Sequence, residues 1–136
     1  MSVFMQAHTW FTVSVAACLF STHTTHAQEF DLLEATIADV HQAFGSGQLT
    51  CHDLTSQYLN RIQAYDATGP SLNSVEIINP NALREADSLD AQFNRSGLQG
   101  PLHCIPVLLK DQVETRDMPT TYGSAVFEGF LSNRDA

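Results

Sequence analysis

Five consecutive apolar residues, Ile105 to Leu109, run directly into the only lysine of the chain, Lys110. A short run without polar interruption is what a strand covered on both faces requires, since each face then meets an apolar layer. Pro106 is tolerated near its start, where the backbone need not donate to a ladder. A second β-branched run, Ser74 to Ile78, is flanked by Asn and Pro and predicts another strand. Between them Asn79 as N-cap and Pro80 at the first helical position start a helix, with Ala82, Ala86, Leu89 and Phe93 as its apolar stripe and Gly97 as its stop. Strand, helix, strand makes a right-handed βαβ unit, and the fold class is α/β.

Two helices precede this unit. The first covers Thr36 to Phe44, with Ile37, Val40 and Phe44 on one stripe, and Gly45-Ser46-Gly47 ends it. The second starts at Thr50, where Thr50-Cys51-His52-Asp53 resembles a capping box. Leu54, Tyr58, Leu59, Ile62 and Tyr65 form its apolar face, and turn chemistry runs from Asp66 to Ser71. Two strands leave open edges and a half-covered core, so the chain is expected to be the opening portion of a larger α/β domain.

Charge is placed unevenly. Every Asp, Glu, Lys and Arg lies between Glu29 and Asp135, and 15 acidic residues against 6 basic ones argue against a nucleic-acid partner, which needs clustered Lys and Arg. The charge-free start contains the apolar and small run Trp10 to Phe20, followed by Thr25-His26-Ala27. That pattern predicts a signal peptide over residues 1–27, leaving a secreted mature segment over 28–136 with no membrane attachment after cleavage. Its weak feature is an N-region without Lys or Arg.

Cys18 leaves with this leader. Cys51 and Cys104 could pair in an oxidising compartment, closing a loop worth roughly 4 kcal/mol, but two cysteines make no framework, and two unpaired buried thiols are the expectation. Asn94-Arg95-Ser96 is the single glycosylation sequon. The histidines show no metal-ligand spacing, and His41, His52 and His103 are expected to be structural. Glu85, Asp87 and Asp90 form a solvated helix face. There is no phosphate-cradling loop or dinucleotide fingerprint, so no cofactor is expected.

Lys110 is the candidate for chemistry. A lysine at the carboxyl end of a buried strand stands on the usual functional edge of an α/β sheet, and desolvation there favours the neutral form that a base requires. The competing role is a solvated lysine whose stem lies along the strand end.

The string Gly100-Pro101-Leu102-His103-Cys104-Ile105-Pro106-Val107-Leu108-Leu109-Lys110-Asp111-Gln112, followed by Thr120-Thr121-Tyr122-Gly123-Ser124, resembles the amidase signature family. Leu33 to Ile37, Leu49-Thr50 and Tyr58 to Ile62 resemble its two N-terminal helices. The resemblance implies the N-terminal part of an α/β/α domain with helices packed on a mixed sheet. It also implies a Ser-Ser-Lys amide hydrolase acting on a small-molecule carboxylic amide, with Lys110 as the catalytic base through a bridging serine. Two departures stand out: Cys104 replaces the family's glycine and Gln112 its asparagine. The Gly/Ser-rich stretch that carries the two serines has no counterpart here, and Ser124 occupies a different, structural position. The 136 residues alone are therefore expected to be inactive. The leader argues against the tRNA-linked branch of the family. The alternative is a non-catalytic secreted protein or binding module derived from an amidase.

Overall fold

The computed structural model describes residues 30–136. The expected leader over 1–27 therefore lies outside the described residues. The described part is a three-helix core followed by an irregular C-terminal unit that carboxylates hold together.

Helix α1 spans Ile37–Ser46 and α2 spans Cys51–Arg61. Both open with the same device. The Thr36 hydroxyl accepts from the Asp39 amide while the Asp39 carboxylate accepts from the Thr36 amide, and Thr50 and Asp53 repeat the exchange. Each box satisfies amides that have no intrahelical partner. Gly47 closes α1 at φ 71°, where a side chain would be strained. Val40 and Phe44 of the expected stripe are buried, whereas Ile37, on the opening turn, is exposed.

After Arg61 the helix widens into a π-helical turn, Ile62–Ala67. It ends with the Thr68 amide donating to the Gln63 carbonyl at 3.1 Å. Gly69 comes next at φ 54°, and a Cβ there would come within 2.5 Å of the Ala64 carbonyl oxygen, so only glycine fits. Widening turns the last part of the expected apolar face outward. Leu54 is fully buried, but Tyr65 is exposed and lies under the Arg61 guanidinium.

Helix α3 spans Ala82–Ser96, two residues later than the Asn79-Pro80 start implies. Asn79 instead accepts the Asn81 amide on its side chain at 2.8 Å and the Ala82 amide on its carbonyl, making a turn before the helix. Val40, Ala43 and Phe44 of α1, Leu49 of the loop before α2, Cys51 and Leu54 of α2, and Ala86 of α3 meet in one core, with Cys104 closing it. Phe93 packs on this core beside Phe44.

The strands are the main departure. Among the described residues neither 74–78 nor 105–109 joins a ladder, and the one β-bridge links Pro119 and Leu131. Val107, Leu108 and Leu109 are exposed, Leu108 by 81%. A strand is defined by its neighbours, and 105–109 has none alongside. The expected mixed sheet is therefore not formed within these residues.

Cys51 and Cys104 are joined in a disulfide, with Cα atoms 5.4 Å apart across 53 positions of sequence. This corrects the expectation of two free thiols. The N-terminus of α2 and the loop after α3 converge on the same core, which sequence distance alone conceals.

Candidate functional site

Lys110 is exposed at the end of the apolar run, not desolvated as a buried strand end would make it. Its carbonyl accepts from the Val113 amide at 2.8 Å, which turns the backbone immediately after it. The neighbouring Asp111 organises the loop further along the chain. Its carboxylate accepts from the Thr121 amide at 3.0 Å, the Thr121 hydroxyl at 2.9 Å and the Gly123 amide at 3.0 Å. The Thr120 hydroxyl donates to the Asp111 carbonyl, and Thr120 is buried.

These bonds hold the Asp111 carboxyl below its ordinary range, the Thr121 amide contributing most, because they stabilise only the ionised form. Tyr122 and Gly123 both take positive φ, 52° and 70°, which aims the amides on either side at the carboxylate. The Lys110 turn and the Thr120–Gly123 loop are thus one rigid piece. Sequence alone singles out Lys110 and assigns no role to Thr121, Gly123 or the acid that joins them. A short carboxylate nine residues before Thr120 in the Thr-Thr-x-Gly loop is nevertheless a usable signal for such a clamp.

Ser124 serves locally. Its hydroxyl accepts from the Val126 amide at 3.3 Å and starts the short 3-10 turn Ala125–Phe127. Behind the clamp Glu114 accepts from the Tyr122 hydroxyl and from the Ser132 hydroxyl, the latter at 2.7 Å. Tyr122 lowers the Glu114 carboxyl, and Glu114 in turn raises the Tyr122 phenol. Arg116 pairs with Asp135 at 2.7 Å and fastens the last residues to the same unit.

On the other side of the core, the acids expected on a solvated face have partners. Asp90 of α3 accepts from the Cys51 amide at 2.7 Å and the His52 amide at 3.0 Å, completing the N-terminus of α2. Asp87 meets the His52 ring at 2.7 Å, and Glu85 accepts from Asn79. Asn94, the sequon residue, is exposed on the last turn of α3.

Cys104, which stands where the resembling family has glycine, takes φ 60°. That region costs a side chain on the order of 1–2 kcal/mol and explains a preference for glycine there. The sulfur linkage to Cys51 holds it in place. His41 donates from Nε2 to the His103 carbonyl at 3.1 Å and fixes the same loop. His103 itself is buried beside the two sulfurs, and no hydrogen-bond partner for either ring nitrogen exists among the described residues. Sequence spacing shows no metal set, but folding gathers these three residues. Among the described residues no helix is long and apolar enough to cross a membrane.

Comparison with known proteins gives a consistent result. The family model described as Amidase matches residues 53–136. A glutamyl-tRNA(Gln) amidotransferase subunit from Streptomyces coelicolor is 34% identical over 106 residues, covering 78% of this chain and 21% of that protein. The solved peptide amidase of Stenotrophomonas maltophilia superposes with a TM-score of 0.72 at 43% identity, over 76% of this chain and 21% of its own. An amidase family protein from Bacillus anthracis superposes equally well, TM-score 0.72, at 41% identity over the same shares. The chain spans about a fifth of the length of the relatives it matches.

Proposed function

The chain belongs to the amidase family, and from that premise we propose that it is the N-terminal portion of a secreted hydrolase of carboxylic amides, with Lys110 as the catalytic base. The observation that carries the reading is the clamp built by Asp111. It fixes the turn bearing Lys110 against the Thr120–Gly123 loop, and a base must be held within hydrogen-bond reach of the proton it takes.

In this reading Lys110 removes a proton, by way of a bridging serine, from a nucleophilic serine. The serine oxygen attacks the amide carbonyl, the acyl-enzyme forms, and ammonia or an amine departs. Water then hydrolyses the ester and returns the proton. Both serines belong to sequence outside this chain. A lysine accepts a proton only when neutral, so the strands that cover Val107 to Leu109 in the complete domain also exclude water from Lys110 and favour that form. The substrate is a small-molecule amide, and no cofactor takes part. The leader over 1–27 supplies the secretory route and speaks against the tRNA-linked branch.

The test uses the protein expressed from its complete reading frame and a simple carboxamide. Lys110→Ala is expected to lower kcat by at least about 100-fold, the range of a positioned base, with the fold retained. Activity within about tenfold of wild type would remove Lys110 from the mechanism, whereas absence of turnover in the wild type itself would favour the binding-module alternative. The 136 residues alone are expected to show no turnover. Turnover by them that Lys110→Ala abolishes would place the nucleophile within this segment.

A further inference from the structure

We propose that, when its disulfide is reduced, this chain holds a thiophilic divalent cation such as zinc on Cys51, His103 and Cys104. This rests on geometry in the helical core and is independent of the catalytic role of Lys110.

The ligand atoms of the three residues lie within 4.8 Å of one another, and all three residues are buried. Tetrahedral zinc with sulfur and imidazole nitrogen ligands needs mutual spacings of about 3.5 to 3.8 Å, from bond lengths of about 2.3 and 2.0 Å. Once reduction releases their bond, the two sulfurs must separate to about 3.8 Å, while the His103 ring already lies within 4.8 Å of both. The second observation is His103. It is only 5% exposed, yet neither ring nitrogen has a hydrogen-bond partner among the described residues. Burying an imidazole in that state is costly, and a ligand that takes a nitrogen lone pair relieves the cost.

The surroundings suit such a site. The His41 ring fixes the His103 carbonyl, so the ligand loop is held from outside the cluster. Two sulfurs and one nitrogen select a soft or borderline cation over magnesium or calcium. Three protein ligands leave a fourth position. A shallow apolar groove lined by Leu89, Gln99 and Leu102 reaches His103 and Cys104 and gives that position a path to solvent.

The two states exclude each other, because the sulfurs that would hold the cation are the ones joined in the disulfide. A phosphine reductant and one water convert the disulfide to two thiols, and the phosphine leaves as its oxide. The cation then binds two thiolates and neutral His103, releasing two protons. Oxidation of the thiolate pair by a disulfide oxidant removes two electrons, re-forms the Cys51–Cys104 bond and frees the cation.

Cobalt(II) is the probe, added to the full chain after reduction and removal of the phosphine. Thiolate-to-cobalt charge-transfer absorption at one equivalent per chain, discharged by zinc, is expected. The oxidised chain should show none. His103→Ala, checked for retained helix by far-UV circular dichroism, should weaken cobalt binding at least about tenfold, the lower limit for partners that merely flank a metal. His103→Gln provides a second variant if the alanine form unfolds. The proposal is overturned if the reduced wild-type chain gives no charge-transfer band, if the oxidised chain binds equally, or if folded His103 variants bind as wild type does.

Discussion

Replacing Asp90 by alanine tests how α2 and α3 are tied together in the core. The Asp90 carboxylate reaches across from α3 to the Cys51 and His52 amides, the first two of α2. Neither amide has a partner inside its own helix. A hydrogen bond to a charged group contributes about 1.5 kcal/mol at the low end, so two contribute about 3 kcal/mol. The negative charge at the positive end of α2 adds roughly 0.3–1 kcal/mol. About 3 kcal/mol corresponds to on the order of a hundredfold in an equilibrium constant.

Amide hydrogen exchange reads this locally, without requiring a two-state melt. In Asp90→Ala the Cys51 and His52 amides should lose about a hundredfold of protection. The Asp53 amide, which donates to the Thr50 hydroxyl, should keep most of its own. Asp87→Ala is the control, because the Asp87–His52 pair is well exposed, 64% and 44%, and contributes at most about 1 kcal/mol. The reasoning fails if Cys51 and His52 exchange as in wild type, or if Asp53 loses protection equally, since that would report general loosening.

Further outcomes are expected from two other ties. Asp111 has a lowered folded-state pKa, so its contribution is fully present above the unfolded value near 3.8 and is lost as pH falls through the lower folded value. Acid titration should therefore release the Thr121 and Gly123 amides below about pH 3.8, seen as rapid exchange, and Asp111→Asn should weaken their protection already at neutral pH. Reducing the Cys51–Cys104 link, which closes a span of 53 residues, should cost about 4 kcal/mol and move the denaturant midpoint down; an unchanged midpoint with both thiols titratable would refute this.

The features legible in the sequence are local ones. Thr50 and Asp53 sit three residues apart and find each other within one turn, so the start of α2 is written in four letters. Gly97 ends α3 for an equally local reason. The apolar stripe of α3 also points correctly, with Ala86 buried. The features that escape are non-local. The apolar run before Lys110 signals a strand, but hydrogen bonding along it depends on neighbours far away in sequence. Asp90 looks like any solvated helix acid until α2 is placed beside it. The Cys51–Cys104 linkage and the burial of His103 depend on that same convergence. At the candidate site Lys110 stands out because it is the single lysine, whereas Asp111 acts through residues nine to twelve positions on, a separation that no periodicity marks.

The carboxylate of Asp66 has a consequence for how this segment can vary in length. Buried at the end of the π-helical turn, it accepts from the Ser74 hydroxyl and amide and from the Val75 amide, while the Tyr65 and Asp66 carbonyls accept from Leu72 and Asn73. Residues 67 to 73 are therefore a loop knotted at its neck. Its contour length is uncoupled from the position of everything after Ser74, because closing a longer loop costs only about 0.6 kcal/mol for each doubling. Residues can be gained or lost at the tip, past the tight Gly69 turn, while the neck keeps the register of the chain that leads into α3.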